Sequence, residues 1–175
     1  MMAWFRAFLL GVLLLWPLAP FSSAPFALAA ELAPPAGPVI LTVAGRIAHT
    51  NAPDGEARLD LAQLQALPSR TIETTTPWTE GVQSFTGVAV ADLLRHLGAD
   101  GGRLHATATN AYEVDFPVTD ATNHDGIIAY LHNGAPLAAD KGPLWIVFPY
   151  DSDPALLGDR FRNASIWNLA TLTLH

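Results

Sequence analysis

The chain contains no cysteine among its 175 residues. Disulfide bonds, thiolate metal sites and cysteine nucleophiles are therefore all excluded for this sequence. Stability must come from an apolar core, and half of the residues are hydrophobic while 14% are charged. This length and composition predict a single globular domain rather than a disordered chain.

The charge balance argues against nucleic-acid binding. The formal net charge is −7, with 9 Lys plus Arg against 16 Asp plus Glu, and Lys141 is the single lysine. Binding to a phosphate backbone requires a broad positive face, which this composition does not supply. We therefore expect no nucleic-acid partner.

Residues 1–29 have the pattern of a signal peptide. Arg6 precedes an apolar run from Ala7 to Leu15, and Ala27-Leu28-Ala29 fits the small-x-small pattern of a signal-peptidase site. No twin-arginine motif is present, so we expect Sec-type export to the periplasm or the exterior, with cleavage after Ala29. The alternative is a retained membrane anchor, although the run is only about half of the roughly 20 residues that a spanning helix needs. We expect membrane contact only if the leader stays uncleaved.

The rest of the chain is predicted to form one domain. Residues 30–38 are rich in proline and predict a tether. Residues 39–175 show no repeat and no second boundary, and they predict a single domain of short strands and helices. The predicted strands are Val39–Val43, Arg70–Thr76, Val82–Phe85, Leu104–Ala108, Tyr112–Phe116, Ile127–His132, a central strand at Leu144–Phe148, and Ile166–Leu174.

Local signals predict two helices and one tight hairpin. Asp60 and Gln63 are spaced as a capping box for a helix from Leu61 to Leu67. A second helix begins at Val90 and ends before Gly98. Asn133-Gly134 predicts a type I′ turn between strands, and residues 151–163 are predicted to be the longest irregular segment.

Five motifs follow one another in a characteristic order. They are Thr76-Pro77-Trp78-Thr79-Glu80-Gly81-Val82, Phe85-Thr86-Gly87-Val88, Ala91-Asp92-Leu93-Leu94, Asn133-Gly134-Ala135-Pro136-Leu137 and Gly142-Pro143-Leu144-Trp145-Ile146-Val147-Phe148-Pro149. In this order and spacing, over roughly residues 57–174, the sequence resembles the molybdopterin-binding domain of the sulfite oxidase family. The resemblance implies a mixed, strand-rich α+β fold, a molybdopterin cofactor and oxidoreductase activity.

Three features depart from what that resemblance implies. The family's molybdenum is ligated by a cysteine thiolate, which would fall in or near residues 70–78, where this sequence has Thr74, Thr75 and Thr76. A threonine hydroxyl is not a soft ligand. Family members that carry the cofactor leave the cytoplasm folded, by the twin-arginine route, whereas this leader has one arginine. The family also places basic residues for the pterin phosphate after the position of Pro149, where acidic residues 151 and 153 stand here.

These departures favour a domain without the cofactor. We expect no bound molybdopterin, a cofactor implied by the resemblance alone, and we assign no catalytic residue. The predicted function is a non-catalytic module that binds a small ligand or a periplasmic protein, the latter across an exposed strand edge. The alternative is an active molybdopterin-dependent oxidoreductase with a non-thiolate metal ligand.

Five polar residues are predicted to gather at a ligand cleft: Tyr112, Asp115, Asn123, His124 and Asp125. The alternative is that these are surface and turn residues. His124 and Asp125 have the chemistry of an acid–base pair or of a divalent-metal pair, with His132 as a conceivable third ligand. Their spacing meets no rule for metal sites, so we predict none.

Arginines and aromatic residues complete the predicted cleft. Arg160 and Arg162, two apart on a strand, would point the same way and clamp a carboxylate or phosphate. The alternative is pairing with nearby aspartates at 151, 153 or 159. Trp78 and Tyr150, together with Trp145 and Trp167, are interpreted either as the lining of an apolar pocket or as core residues. The predicted ligand is therefore a small molecule, with an anion favoured by the two arginines.

Overall fold

The computed structural model describes residues 32–175. The predicted signal peptide therefore lies outside the described residues. Part of the predicted tether is hydrogen-bonded to the domain, since the amides of Ala36 and Gly37 donate to the Asp60 carboxylate at 2.8 and 2.7 Å. Within residues 32–175, no helix is long and apolar enough to cross a membrane.

Two five-stranded sheets form the framework. The strands of the first sheet, in spatial order, are β2 (Ala57–Leu59), β1 (Leu41–Gly45), β10 (Leu169–Leu174), β5 (Arg103–Ala108) and β6 (Glu113–Pro117). Strands β1 and β10 are parallel, and the other pairs in this sheet are antiparallel. The first and last described strands of the chain thus lie side by side.

The second sheet is antiparallel and carries most of the motifs on which the resemblance rests. Its strands are β3 (Ser69–Thr76), β4 (Thr79–Ala89), β7 (Ile127–His132), β8 (Ala135–Pro136) and β9 (Trp145–Val147). The order is β3-β4-β7-β8, and β9 also pairs with β7. An isolated bridge between Trp145 and Trp167 links β9 to the segment before β10.

Four short helices and two 3₁₀ turns connect the strands. The helices are α1 (Leu61–Ala66), α2 (Val90–His96), α3 (Val118–Asn123) and α4 (Asp159–Ala164). The 3₁₀ turns span Tyr150–Ser152 and Pro154–Leu157. Both turns and α4 lie in the single connection between β9 and β10.

The core divides into two clusters. The larger one joins the inner residues of the first sheet to α2 and to residues of β7 and β9. The smaller one contains Phe85, Ile127, Ala129, Trp145 and Val147. Trp78 packs against both clusters, so the turn between β3 and β4 is anchored where they meet.

The fold class and several local predictions are confirmed. The domain is a strand-rich mixture of helices and sheets, as the resemblance implied. Asp60 and Gln63 form both hydrogen bonds of the capping box at the start of α1. Asn133 and Gly134 have φ angles of 50° and 78°, which are the positive values that a type I′ turn requires.

The connection after β9 differs most from the prediction. Residues 151–163 were expected to be irregular, yet they contain a 3₁₀ turn and most of α4, so Arg160 and Arg162 lie on a helix and not on a strand. Gly158 occupies the N-cap position without a side-chain cap, which is why no capping signal marked this helix. The predicted strand at residues 144–148 is buried but not central, because β9 pairs with β7 alone among the named strands.

Gly87 has a steric role in the second sheet. It is buried in β4, and a Cβ there would collide with the main chain of Ile128 and Ala129 on β7. The Gly87→Ala substitution should therefore lower the free energy of unfolding by about 1–3 kcal/mol, measured by urea denaturation. Gly102→Ala is the matched control, since nothing lies within 4 Å of its added Cβ, and it should change stability by less than about 0.5 kcal/mol. Equal losses in the two variants would contradict this packing account.

Candidate functional site

A cavity of about 540 Å³ lies where three connections of the fold meet. These are the β3–β4 turn, the β5–β6 turn, and the stretch from α4 to the start of β10. The lining residues are Pro77, Trp78, Asn110, Tyr112, Asp159, Arg162, Asn163, Ser165, Ile166 and Trp167. Cavities of this volume accommodate small organic molecules.

Aromatic rings form one wall of the cavity. Trp78 meets Trp167 edge to face, with ring centroids 5.5 Å apart and an interplanar angle of 74°. Trp78 also contacts Trp145 and Tyr150 in edge-to-face geometry, at 5.9 and 6.1 Å between centroids. Because Trp145 and Tyr150 are almost fully buried, Trp78 and Trp167 are the members of this group that reach the cavity.

A buried hydroxyl pair adjoins the cavity, with Ser165 in the lining and Tyr150 behind it. The Tyr150 and Ser165 hydroxyl oxygens are 2.5 Å apart, and each residue is 2% exposed. Burial raises the pKa of Tyr150 to about 12, against smaller opposing effects from the Ser165 hydrogen bond and the Arg162 charge. Tyr150 therefore stays protonated near neutral pH and is held by packing as well as by its hydrogen bond.

Charged and polar groups also line the cavity. Arg162 and Asp159 form an ion pair between adjacent turns of α4, with side chains 46% and 83% exposed. The Tyr112 hydroxyl donates to the main-chain oxygen of Asn163 at 3.2 Å, which ties the β5–β6 turn to the end of α4. The cavity lining thus combines aromatic rings with one positive and one negative group.

The threonine strand adjacent to the cavity is bound by a carboxylate. The Asp151 carboxylate accepts from the Thr75 amide at 2.7 Å and from the Thr75 hydroxyl at 2.5 Å. In return, the Asp151 amide donates to the Thr74 hydroxyl at 3.1 Å. These contacts, the Thr75 hydroxyl first, lower the pKa of Asp151. We call this set of contacts the Thr74–Thr75–Asp151 knot.

The structure brings together only some of the residues predicted for the cleft. Trp78, Tyr112 and Arg162 line the cavity, and Tyr150 lies behind its wall. Arg160 does not share the cavity with Arg162, because it forms a two-pronged ion pair with the buried Asp120 of α3.

The remaining predicted residues lie elsewhere. Asp115 is 3.2 Å from a ring nitrogen of His105 on the neighbouring strand. Asn123 ends α3, and the His124 ring packs edge to face on Phe161, with centroids 4.8 Å apart. Asp125 pairs with Arg70 at 3.4 Å and lines a second, shallower depression of about 420 Å³. No cluster of three metal-ligating side chains occurs in the described part of the chain.

Three residues that line the cavity, Asn110, Asn163 and Ser165, were not predicted from the sequence. Asn110 stands in the turn after a clear alternating strand, which marked it only as a turn former. Asn163 and Ser165 flank the end of α4, a helix that the sequence did not reveal. Their place at the cavity depends on contacts between distant segments, so no local pattern signals it.

Comparison with known proteins agrees with this architecture. Residues 46–150 match the family described as "Oxidoreductase molybdopterin binding domain". Among solved structures, the sulfane dehydrogenase SoxCD from Paracoccus pantotrophus superposes with a TM-score of 0.57 at 17% identity, over 77% of this chain and 37% of that chain. At such identity the similarity shows the fold alone, and this chain spans little more than a third of that protein. No curated protein matches the sequence.

The matched segment contains all five strands of the second sheet, including the threonine strand, and the turn that carries Trp78. It covers well over half of the chain, and the two-sheet fold agrees with the structural similarity. The chain therefore belongs to the oxidoreductase molybdopterin-binding domain family and has a sulfite oxidase-like fold.

Proposed function

We propose that this chain is an exported, non-catalytic member of its family that has kept the ligand cleft and lost the metal. The observation that carries the proposal is the Thr74–Thr75–Asp151 knot. It lies on the strand where the resemblance places the thiolate that holds molybdenum. The Asp151 carboxylate already accepts hydrogen bonds from the Thr75 hydroxyl and amide.

The donor set does not fit a molybdenum centre. A neutral threonine hydroxyl is a hard oxygen donor, whereas the family chemistry uses a soft thiolate. The sequence supplies no cysteine from any other position. Because the Thr75 hydroxyl donates its proton to Asp151, deprotonating it to ligate a metal would remove that hydrogen bond and place two negative oxygens side by side.

The charges near the knot also disfavour the cofactor. The lowered pKa of Asp151 keeps its carboxylate ionised at neutral pH, and a negative charge there repels an anionic pterin dithiolene. Arg160 and Arg162, the basic residues closest in sequence to the expected phosphate site, are paired with Asp120 and Asp159. Neither guanidinium is left without a carboxylate partner.

The cavity supports a binding function. It stays open beside the tryptophans although the metal ligand is missing. A concave site that joins aromatic side chains to converging polar groups has the form of a small-molecule site. Family membership favours the alternative of an active molybdopterin-dependent oxidoreductase, and the donor set argues against it.

Export rests on the amino-terminal pattern. If Ala27-Leu28-Ala29 is a signal-peptidase site, the secreted protein should begin at Ala30. N-terminal sequencing of protein recovered from the periplasm or the medium measures this directly. Material that still begins at Met1 and remains with the membrane fraction would contradict the proposal of a cleaved leader.

The metal content tests the loss of the cofactor. Protein from its native compartment, in cells that make molybdopterin, should contain far less than one molybdenum atom per chain by elemental analysis. A near-stoichiometric content would overturn the proposal. In that case Thr75→Ala, compared with Thr71→Ala on the same strand, would show whether the knot residue holds the metal, since the Thr71 hydroxyl bonds only to Thr86.

The knot should also give a pH-dependent contribution to stability. The folded-state pKa of Asp151 is lowered, so its contribution is complete above the unfolded value of about 3.9 and is lost as the pH falls through the folded value. The Asp151→Ala variant should therefore have a lower melting temperature than the wild type at pH 7. This difference in melting temperature should shrink progressively below about pH 4.

Glu80→Ala removes an exposed carboxylate from the adjacent strand and serves as the control for that experiment. Its melting temperature should follow the wild type at every pH. If the difference in melting temperature between Asp151→Ala and the wild type stays constant from pH 7 to about pH 2, the Asp151 contacts do not depend on its charge.

A further inference from the structure

We infer that the cavity binds a zwitterion, specifically a free α-amino acid with an apolar or aromatic side chain. This inference rests on the proposed function, because it assigns a ligand class to the cleft that the metal cofactor has left. Three observations carry it: an aromatic wall, a rim with one charge of each sign, and a volume that suits one small molecule.

The aromatic wall would receive the ligand side chain. Trp78 and Trp167 meet edge to face at the cavity surface, and Ile166 adds an aliphatic contact beside them. Aromatic rings recognise apolar and aromatic groups by burial and by edge-to-face contact. Trp78 is fixed from behind by Trp145 and Tyr150, so the wall is preorganised.

The charged rim selects against ligands with a single charge. Arg162 and Asp159 both line the cavity and are paired with each other. A simple anion at Arg162 would lie beside the Asp159 carboxylate, and a simple cation at Asp159 would lie beside the guanidinium. A zwitterion avoids both repulsions, because its carboxylate can pair with the Arg162 guanidinium while its ammonium pairs with the Asp159 carboxylate.

The rim pair can open for a ligand. Its two side chains are 46% and 83% exposed, and exposed ion pairs of this kind contribute little to stability. The net charge of −7 further disfavours a free anion at this surface and leaves a neutral zwitterion unaffected. Asn110 and Asn163, also in the lining, offer amide groups for the remaining polar atoms.

Isothermal titration calorimetry of the mature protein at pH 7 and low salt tests the inference. The probes are L-leucine, L-phenylalanine and L-tryptophan. Two analogues of phenylalanine each lack one charge: N-acetyl-L-phenylalanine has no ammonium, and L-phenylalaninamide has no carboxylate. We expect at least one of the three amino acids to bind, and each single-charge analogue of phenylalanine to bind about tenfold or more weakly than phenylalanine itself.

Two variants that each remove one charge locate the binding. Arg162→Gln and Asp159→Asn should each weaken amino-acid binding by about tenfold or more. Arg46→Gln is the matched control, since Arg46 also forms an exposed pair, with Asp100, and does not line the cavity. Its binding should equal that of the wild type. Circular dichroism melts of all three variants confirm that each is folded.

The results separate this inference from the proposed function. If none of the three amino acids binds, if the analogues bind as well as phenylalanine, or if Arg162→Gln and Asp159→Asn bind like Arg46→Gln, the zwitterion inference is wrong. A metal-free protein with any of these outcomes still agrees with the proposed non-catalytic function. Stoichiometric molybdenum, by contrast, defeats the proposed function and this inference together.

Discussion

One carboxylate joins the threonine strand to the segment that follows β9. Asp151 accepts two hydrogen bonds from Thr75 and donates its own amide to Thr74, and in doing so it joins β3 to the 3₁₀ turn after β9. The strand thereby gains a polar anchor at the position where the resemblance places a metal–thiolate bond. Under the proposed function, this ionised carboxylate disfavours an anionic metallocofactor beside the strand, because like charges repel.

The cavity is maintained by residues other than those of the Thr74–Thr75–Asp151 knot. Its aromatic wall depends on the second core cluster, which fixes Trp145 and, through it, Trp78. The cavity residues Asp159 and Arg162 depend on α4, which the ion pair between the buried Asp120 and the exposed Arg160 attaches to α3. Neither support involves a metal or a thiol. The fold thus holds a ligand-sized space through contacts that need no metal, and fold similarity alone does not transmit activity.

The features of the fold that depend on neighbouring residues could be predicted from the sequence. The capping box at Asp60 and the Asn133-Gly134 turn each depend on a few neighbouring residues, and both are confirmed. Helix α4 was missed because Gly158 caps it without a side-chain signal, and its Arg160 is stabilised by Asp120, which is 40 residues away in the sequence. Trp78, Tyr112 and Arg162 were each predicted as ligand residues. The cavity that they line is formed by three connections that are distant in the sequence, so it could not be predicted from local patterns. Asn110, Asn163 and Ser165 could be found only once those connections were placed in space.

Native mass spectrometry of freshly isolated, untagged protein tests the central claim most directly, because it weighs the folded chain together with whatever it holds. The account predicts the mass of the cleaved polypeptide, alone or with a small adduct that is released on denaturation, and no species carrying a molybdenum-pterin. A dominant peak at the polypeptide mass plus that of a molybdopterin cofactor would contradict it, since the Thr74–Thr75–Asp151 knot would then coexist with the group that it is argued to replace.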